Sequence, residues 1–192
     1  MRVSCGALLY ACKDGEIGVV LGIEGGNYFP LKGGKFAGET DEQTAIREVF
    51  EESCGLVDLK RISLDCTVHS LTKRYHLGLV EVSHDIIEKF AARRATETRP
   101  SFAELSGLKF IKLADLENMK LPLVTYKAVS FYKDRLFELE KKINENNMNN
   151  KKDLVAYLCH VQNYSNYCTS IANLKYQTLS RLTQLAAIVS LL

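Results

Sequence analysis

The feature that most constrains this sequence is a set of fixed spacings within residues 33–52. The residues that set the spacing are Gly33, Glu39, Arg47, Glu48, Glu51 and Glu52. Before them, the glycines of residues 32–35 predict a tight turn. From Thr40 the pattern becomes helical, because Thr40 with Gln43 three residues later is a capping box. The segment therefore predicts a glycine-rich turn followed by a helix with a carboxylate-bearing face.

Three glutamates of this helix share one face. Residues three and four apart are neighbours on a helix, so Glu48, Glu51 and Glu52 converge. Two carboxylates roughly 4 Å apart repel by about 4 kcal/mol at an effective dielectric of about 20. Clustered oxygen donors suit Mg²⁺ or Mn²⁺, which bind diphosphates and activate water. Glu-x-x-Glu-Glu alone favours a plain solvated acidic face, but the long spaced pattern around it favours a metal–diphosphate site.

The spacing resembles the signature of the Nudix (MutT-like) hydrolases. That signature is a glycine, five residues, a glutamate, seven residues, then Arg-Glu-aliphatic-x-Glu-Glu-x-Gly. The match is full from Gly33 to Glu52, but Cys54 stands where the last glycine belongs and Gly55 follows one residue late. Either a one-residue extension of the helix or a one-residue deletion before Glu39 explains this. The alternatives leave open whether Gly33 or Gly34 offers its carbonyl to a metal.

The resemblance implies a role for each matched residue. Glu48, Glu51 and Glu52 are the expected ligands of Mg²⁺ or Mn²⁺, with a backbone carbonyl at Gly33 or Gly34. Arg47 is expected to hold the glutamates through charge-assisted hydrogen bonds. The general base stays open among Glu48, Glu52 and Glu104, a glutamate of a later loop that is equally well an exposed loop carboxylate.

Residues 1–143 fit the layout of that family. Strands are predicted at 3–11 and 17–23 around a turn at 13–16, and again at 59–69, 75–82 and 108–113. A helix followed by a loop is predicted within 88–106. In the helix that begins at Thr40, Ala45, Ile46, Val49 and Phe50 form the predicted buried stripe. The resemblance implies an α/β/α sandwich with a mixed, curved sheet.

The end of the chain differs in composition. Pro122 opens a predicted helix, and the polar, asparagine-rich residues 144–152 predict a linker. Residues 153–192 then hold only three charged side chains, whereas residues 126–152 hold eleven. This shift predicts a helical extension whose apolar face is covered by the main domain or by a second copy, as in a homodimer.

Cysteine usage and hydropathy indicate the compartment. The six cysteines form no C-x-x-C pair and complete no zinc site. We expect reduced thiols in an intracellular, cytoplasmic protein. No run of about 18 apolar residues predicts a membrane span, and the net charge of +2 neither demands nor excludes an anionic partner.

The segment before the helix points to the substrate. Residues 29–35, Phe-Pro-Leu-Lys-Gly-Gly-Lys, loosely resemble the corresponding segment of Nudix enzymes that act on mRNA caps or diphosphoinositol phosphates. The resemblance therefore favours hydrolysis of the 5′ cap of mRNA, with diphosphoinositol polyphosphates and nucleotides as alternatives. Lys32 and Lys35 suit an anionic substrate, and Tyr28 is a candidate for stacking on a base.

Two basic runs allow an RNA contact. Arg74, within Lys-Arg-Tyr-His at 73–76, is a candidate substrate contact, and Arg93-Arg94 is the second run. Scattered solvated charges are the plainer interpretation. A different class also stays open, namely a Nudix domain that binds nucleotides or RNA without catalysis. All of the signature glutamates are present, which favours an enzyme acting on a nucleotide or a capped RNA.

Overall fold

A computed structural model describes the backbone of residues 2–164 and the side chains of residues 2–153. The chain divides into two units, Met1–Asn147 and Met148–Leu192. The strands are β1 (Arg2–Lys13), β2 (Glu16–Glu24), β3 (Asn27–Phe29), β4 (Leu31–Gly34), β5 (Cys66–His69), β6 (Lys73–Glu81) and β7 (Gly107–Lys112). The helices are α1 (Asp41–Glu52), α2 (Ile86–Arg94), α3 (Leu113–Leu116) and α4 (Leu123–Tyr164).

Strand β1 organises the seven-stranded sheet. One edge of β1 pairs antiparallel with β2 and with β4, and its other edge pairs parallel with β6. Beyond these, β7 and β3 pair with β2, and β5 pairs with β6. The predicted turn between β1 and β2 is present, with φ of 53° at Asp14 and 84° at Gly15, as a tight hairpin requires. The sheet is mixed, as the sequence analysis expects.

Helices cover both faces of the sheet. One core cluster includes Leu9, Val20 and Val49, and joins β1 and β2 to α1 and α2. The other includes Leu8, Leu77 and Tyr132, and joins the opposite face to α4. Because successive strand residues point to opposite faces, burial on both faces explains the continuous apolar run of β1. The predicted α/β/α sandwich is therefore confirmed.

Two local predictions are wrong. A turn was predicted at residues 32–35, but Leu31–Gly34 forms strand β4, because β1 extends past β2 and offers residues 4–7 for pairing. Residues 59–65, predicted as a strand, are irregular, and only Cys66–His69 is a strand. Ile62 lies so close to Gly78 that a Cβ there would come within 2.6 Å of its Cγ1. This segment crosses over β6 instead of pairing with it.

The buried stripe of α1 is rotated from the predicted one. Ala45 and Val49 are fully buried, but Phe50 is 37% exposed. Glu48 and Glu52 are buried in addition, with exposures of 8% and 6%. The helix therefore turns its glutamate face, not Phe50, toward the sheet.

Helix α4 runs without a break through 144–152, the predicted linker. Glycine and proline are absent from α4, so no residue in it breaks a helix outright. The boundary between the two units, after Asn147, falls within this stretch. Residues 153–164 are helical as predicted, while the rest of the predicted extension, with its proposed dimer contact, lies outside the described residues. Among the described helices, α4 included, none is long and apolar enough to cross a membrane.

Candidate active site

Both ends of helix α1 are fixed locally. The predicted capping box is present, with Gln43 N donating to Thr40 Oγ1 at 3.1 Å and Thr40 N donating to Gln43 Oε1 at 2.8 Å. At the other end, Gly55 N donates to Phe50 O at 2.7 Å and Cys54 N donates to Glu51 O at 3.0 Å. This is the Schellman arrangement, in which the residue after the cap is left-handed and usually glycine.

Cys54 occupies that left-handed position. Its φ is +55° and its side chain is fully buried, with Sγ 3.1 Å from the Phe102 carbonyl. The proposed one-residue extension of the helix is therefore wrong, because α1 ends at Glu52 and Cys54 itself adopts the conformation of the expected glycine. A left-handed backbone costs a non-glycine residue about 1 kcal/mol.

Arg47 is the centre of the site. Its guanidinium donates to Glu39 at 2.7 and 3.0 Å, to Glu48 at 2.7 Å and to Glu51 at 3.1 Å. Phe36 covers the guanidinium, with its ring centroid 4.0 Å from Arg47 Cζ. The hydrogen bonds to Glu39 and Glu48 raise the pKa of Arg47, so it stays charged. Arg47 therefore contacts three glutamates of the spaced pattern.

Glu39 binds Arg47 through both of its carboxylate oxygens. Its carboxylate also accepts hydrogen bonds from Phe36 N at 2.9 Å and Thr44 Oγ1 at 2.9 Å. The pKa of Glu39 is lowered to about 2, chiefly because Arg47 donates a hydrogen bond to its carboxylate. Glu39 therefore ties the loop before α1 to Arg47.

The Glu52 carboxylate forms no salt bridge with any of the described residues. It accepts a hydrogen bond of 2.6 Å from Lys32 N on β4. Burial raises its pKa to about 8, even though the charge of Lys32 acts in the opposite direction. Burial also raises the pKa of Glu48, against the lowering effect of Arg47. Two buried acids facing one strand are a place where a cation would be stabilised.

The two glycines of β4 meet this cluster differently. A Cβ at Gly33 would lie 2.0 Å from Glu48 Oε2, so a side chain at position 33 would displace the Glu48 carboxylate. Gly34 has open space, and its carbonyl accepts a hydrogen bond from Arg47 Nη2 at 2.8 Å. The sequence predicts a metal-binding carbonyl at Gly33 or Gly34. Of the two, the Gly34 carbonyl is the one that contacts a residue of the glutamate cluster, Arg47.

The carboxylates of Glu48, Glu51 and Glu52 are chemically suited to a hard cation, but their oxygens are not arranged around a common point. Among the described residues, no three His, Cys, Asp or Glu side chains form a ready-made metal site. Arg47 Nη1 contacts both Glu48 and Glu51, so the guanidinium supplies the positive charge there. Glu48, Glu51 and Glu52 provide the carboxylate oxygens that Mg²⁺ or Mn²⁺ prefers, and the two buried acids supply a reason to bind one.

Arg94 fixes the loop that carries Glu104. At the end of α2, Arg94 Nε donates to Leu105 O and its Nη2 donates to Ala103 O, both at 3.0 Å. These carbonyls flank Glu104, so Arg94 holds the backbone on both sides of it. The neighbouring Arg93 donates to Cys54 O at 2.9 Å. Both arginines therefore contact backbone carbonyls.

Glu104 lies near enough to influence the cluster. Its side chain is exposed, and its charge raises the pKa of both Glu48 and Glu52. An exposed carboxylate beside two buried ones is a candidate general base.

A cleft of about 710 Å³ adjoins the cluster. Its lining includes Arg2, Ser4, Lys32, Lys35, Lys73 and Tyr75. Lys32 and Lys35 were expected to contact substrate, and both line the cleft. Tyr28 lies elsewhere, with Thr125 donating to its carbonyl at 2.7 Å and Lys109 Nζ 5.3 Å from its ring.

Arg74, the expected substrate contact of the 73–76 run, does not line this cleft. Lys73 and Tyr75 line it, whereas Arg74 alternates to the opposite face of β6. There its Nε is buried without a hydrogen-bond partner among the described residues. The period-two alternation of a strand was the signal that would have selected Lys73.

A second polar group near α1 was not predicted at all. Asp41 accepts a hydrogen bond from Lys35 Nζ at 2.6 Å and lies 3.3 Å from His76 Nδ1. Cys5 is buried nearby, and burial raises its pKa to about 11. The thiol therefore stays protonated at neutral pH, which excludes it as a nucleophile there.

Comparisons with known proteins place the fold. Neither the protein-family models nor the curated proteins gave a match. The NUDIX domain of NrtR from Shewanella oneidensis, solved with ADP ribose, aligns with a TM-score of 0.53 at 20% identity, covering 70% of this chain and 87% of that one. NrtR from the same organism aligns with a TM-score of 0.55 at 19% identity, covering 72% of this chain and 64% of that one.

NrtR solved with a 27mer DNA gives a TM-score of 0.53 at 19% identity, covering 71% of this chain and 62% of that one. The chain thus spans less than two thirds of the longer NrtR chains. At these identities the likeness is one of fold. With the mixed sheet, the glycine-bearing β4 and the glutamate helix α1 already described, it shows that this chain has the Nudix fold.

Proposed function

We propose that this protein hydrolyses a phosphoanhydride bond in a diphosphate, with Mg²⁺ or Mn²⁺ as cofactor. The observation that carries the proposal is the glutamate face of α1 in a Nudix fold, where Glu48 and Glu52 are buried and Arg47 binds Glu48 and Glu51. Burying two acids side by side costs stability unless a cation compensates them. The two glutamates and Glu51 bring three carboxylates to the helix face beside Gly34.

In this mechanism the chain supplies ligands, orientation and a base. Glu48, Glu51 and Glu52 would hold the cation, and Gly34 O or Gly33 O would be the backbone ligand. When bound, the cation neutralises the diphosphate and lowers the pKa of a water molecule. Arg47 keeps Glu48 and Glu51 in place, and Glu39 keeps Arg47 in place.

The reaction itself is a hydrolysis. A water oxygen forms a bond to one phosphorus, the bond from that phosphorus to the bridging oxygen breaks, and the bridging oxygen leaves with the electron pair. A carboxylate accepts the proton of the water. Glu104 is the candidate that best suits this role, because it is exposed and Arg94 holds its loop; Glu48 and Glu52 remain the alternatives.

For the substrate we favour the 5′ cap of mRNA. The cationic cleft beside β4 and the lysines at 32 and 35 support an anionic substrate that extends beyond a diphosphate. A nucleotide such as an NDP-linked compound is the second candidate, because the NUDIX domain of NrtR was solved with ADP ribose. Diphosphoinositol polyphosphates are a further candidate.

The test is a panel of diphosphate compounds with and without Mg²⁺. Capped RNA, diphosphoinositol phosphates, oxidised nucleotides and ADP ribose are compared side by side for phosphate-containing products. We expect Mg²⁺-dependent turnover that Glu52→Gln removes and that Glu88→Gln, at an exposed position on α2, leaves intact. Binding of a compound without turnover of any would instead assign the chain to the non-catalytic class.

A further inference from the structure

We infer that the cleft beside β4 is an anion site for substrate phosphate groups that lie outside the scissile diphosphate. This inference rests on the proposed function and adds a substrate class to it. The ligand is one or more phosphate groups beyond the bond that is cleaved, in a polyphosphate bridge or in a polynucleotide chain.

The charge of the lining carries the inference. Among the described residues, four cationic side chains line the cleft, those of Arg2, Lys32, Lys35 and Lys73, and no acidic one does. Within the described part of the chain, Lys35 is the member of this set that forms a salt bridge. Some lysines elsewhere have a carboxylate partner, as Lys60, Lys89 and Lys133 do. The cleft is therefore a local concentration of positive charge on a chain of small net charge.

The strand register brings two of these cations together. Arg2 of β1 is in register with Lys73 of β6, so both side chains leave the same face of the sheet. Like charges directly across neighbouring strands destabilise a sheet. Ser4 and Tyr75, the next pair on this face, also line the cleft. An anion bound between Arg2 and Lys73 would relieve their repulsion and accept hydrogen bonds from both.

Strand β4 connects the cleft to the glutamate cluster. Lys32 lines the cleft, while its backbone N donates to Glu52. Gly34 lines the cleft too, while its carbonyl accepts from Arg47. A substrate held at the glutamates therefore has its next phosphate groups within reach of the cleft. The volume of about 710 Å³ lies in the range of ordinary ligand pockets.

The test is the double variant Arg2→Gln and Lys73→Gln in the full chain. Its matched control is Lys60→Gln with Lys89→Gln, two exposed lysines outside the cleft. KM and kcat are measured for a capped oligonucleotide, a dinucleoside tetraphosphate and ADP ribose. We expect KM for the first two to rise roughly tenfold and their salt dependence to weaken, while kcat and the KM for ADP ribose stay unchanged.

The two extended substrates separate the two sources of the phosphate. If KM rises for both, the site binds phosphate groups of the polyphosphate bridge. If KM rises for the oligonucleotide alone, the site binds phosphate groups of the polynucleotide backbone. An equal change for ADP ribose, or no change for either extended substrate, overturns the inference.

A binding measurement keeps the inference separate from the proposed hydrolysis. Inorganic tripolyphosphate is titrated into the metal-free wild-type chain and the double variant by calorimetry. We expect the variant to bind it roughly tenfold more weakly, even if the wild-type chain hydrolyses nothing. Equal binding by both overturns the inference, and a melting temperature no lower than that of the wild type shows that the variant is folded.

Discussion

The two faces of the sheet beside strand β4 carry opposite charge. On the face toward α1, Glu48 and Glu52 are buried, and burial raises the pKa of Glu52 to about 8. On the opposite face of the sheet, Arg2, Lys32 and Lys73 line the cleft without carboxylate partners among the described residues. One face concentrates acidic side chains and the other basic ones, as the proposed binding of a metal and a polyanion requires.

The largest effect should come from removing a carboxylate on the acidic face. Glu52→Gln and Glu51→Gln each delete a charge while keeping the shape of the side chain. We expect kcat to fall at least about 100-fold for each, because metal binding contributes several kcal/mol to the transition state. Steady-state kinetics at saturating Mg²⁺ measure this. Turnover near that of the wild type in either variant would show that the glutamate face is not the catalytic one.

A smaller effect should follow from loosening the loop of Glu104. Lysine cannot reproduce the two hydrogen bonds that Arg94 donates around Glu104. We expect Arg94→Lys to lower kcat roughly tenfold with little change in KM, and to add almost nothing when combined with Glu104→Gln. Additive losses in the double variant would mean that Arg94 acts elsewhere than through Glu104.

The acidic face should also give the metal-free chain a characteristic pH dependence. The pKa of Glu52 is raised from 4.5 to about 8 in the folded chain. Its stabilising contribution is therefore complete below about pH 4.5 and is lost as the pH rises through 8. At about 1.4 kcal/mol per pKa unit, the loss is on the order of a few kcal/mol.

Thermal melts between pH 5 and 9 measure this contribution. We expect Mg²⁺ to raise the melting temperature more at pH 8.5 than at pH 5, and Glu52→Gln to flatten the metal-free profile. A wild-type profile identical to that of Glu52→Gln would contradict the charge balance described for this face.

The smallest effect concerns the end of the helix that carries the glutamates. Cys54 adopts a left-handed backbone that glycine tolerates and alanine does not. Both Cys54→Gly and Cys54→Ala lose the buried thiol, so the loss of the thiol does not contribute to their difference. We expect the glycine variant to be more stable than the alanine variant by about 1 kcal/mol, measured by denaturant unfolding. Equal stabilities would mean that the backbone relaxes at position 54.

The sequence predicted the acidic face well because its signal is local. The capping box at Thr40, the helical spacing of the glutamates and the organising role of Arg47 all lie within one segment of chain. Cys54 misled the prediction of the helix end, since a buried cysteine in the conformation of a glycine has no compositional signal. Burial of Glu48 and Glu52 was also unforeseen, because a helix pattern alone does not tell which face meets the sheet.

The cleft could not be predicted because its residues are distant in sequence. Arg2, Lys32 and Lys73 meet only through the pairing of β1 with β4 and β6. Because side chains alternate along a strand, Lys73 and Arg74 lie on opposite faces of the sheet. A run of basic residues in the sequence does not show this.

The most direct test of the central claim is hydrolysis in water labelled with ¹⁸O. The wild-type chain and Glu52→Gln are incubated with Mg²⁺ and the diphosphate compounds, and the products are analysed by mass spectrometry. We predict that the wild type places one labelled oxygen in a phosphate group of one product, that the label needs the metal, and that Glu52→Gln gives none. Tight binding of a diphosphate by the wild type with no labelled product at any Mg²⁺ or Mn²⁺ concentration would contradict the account.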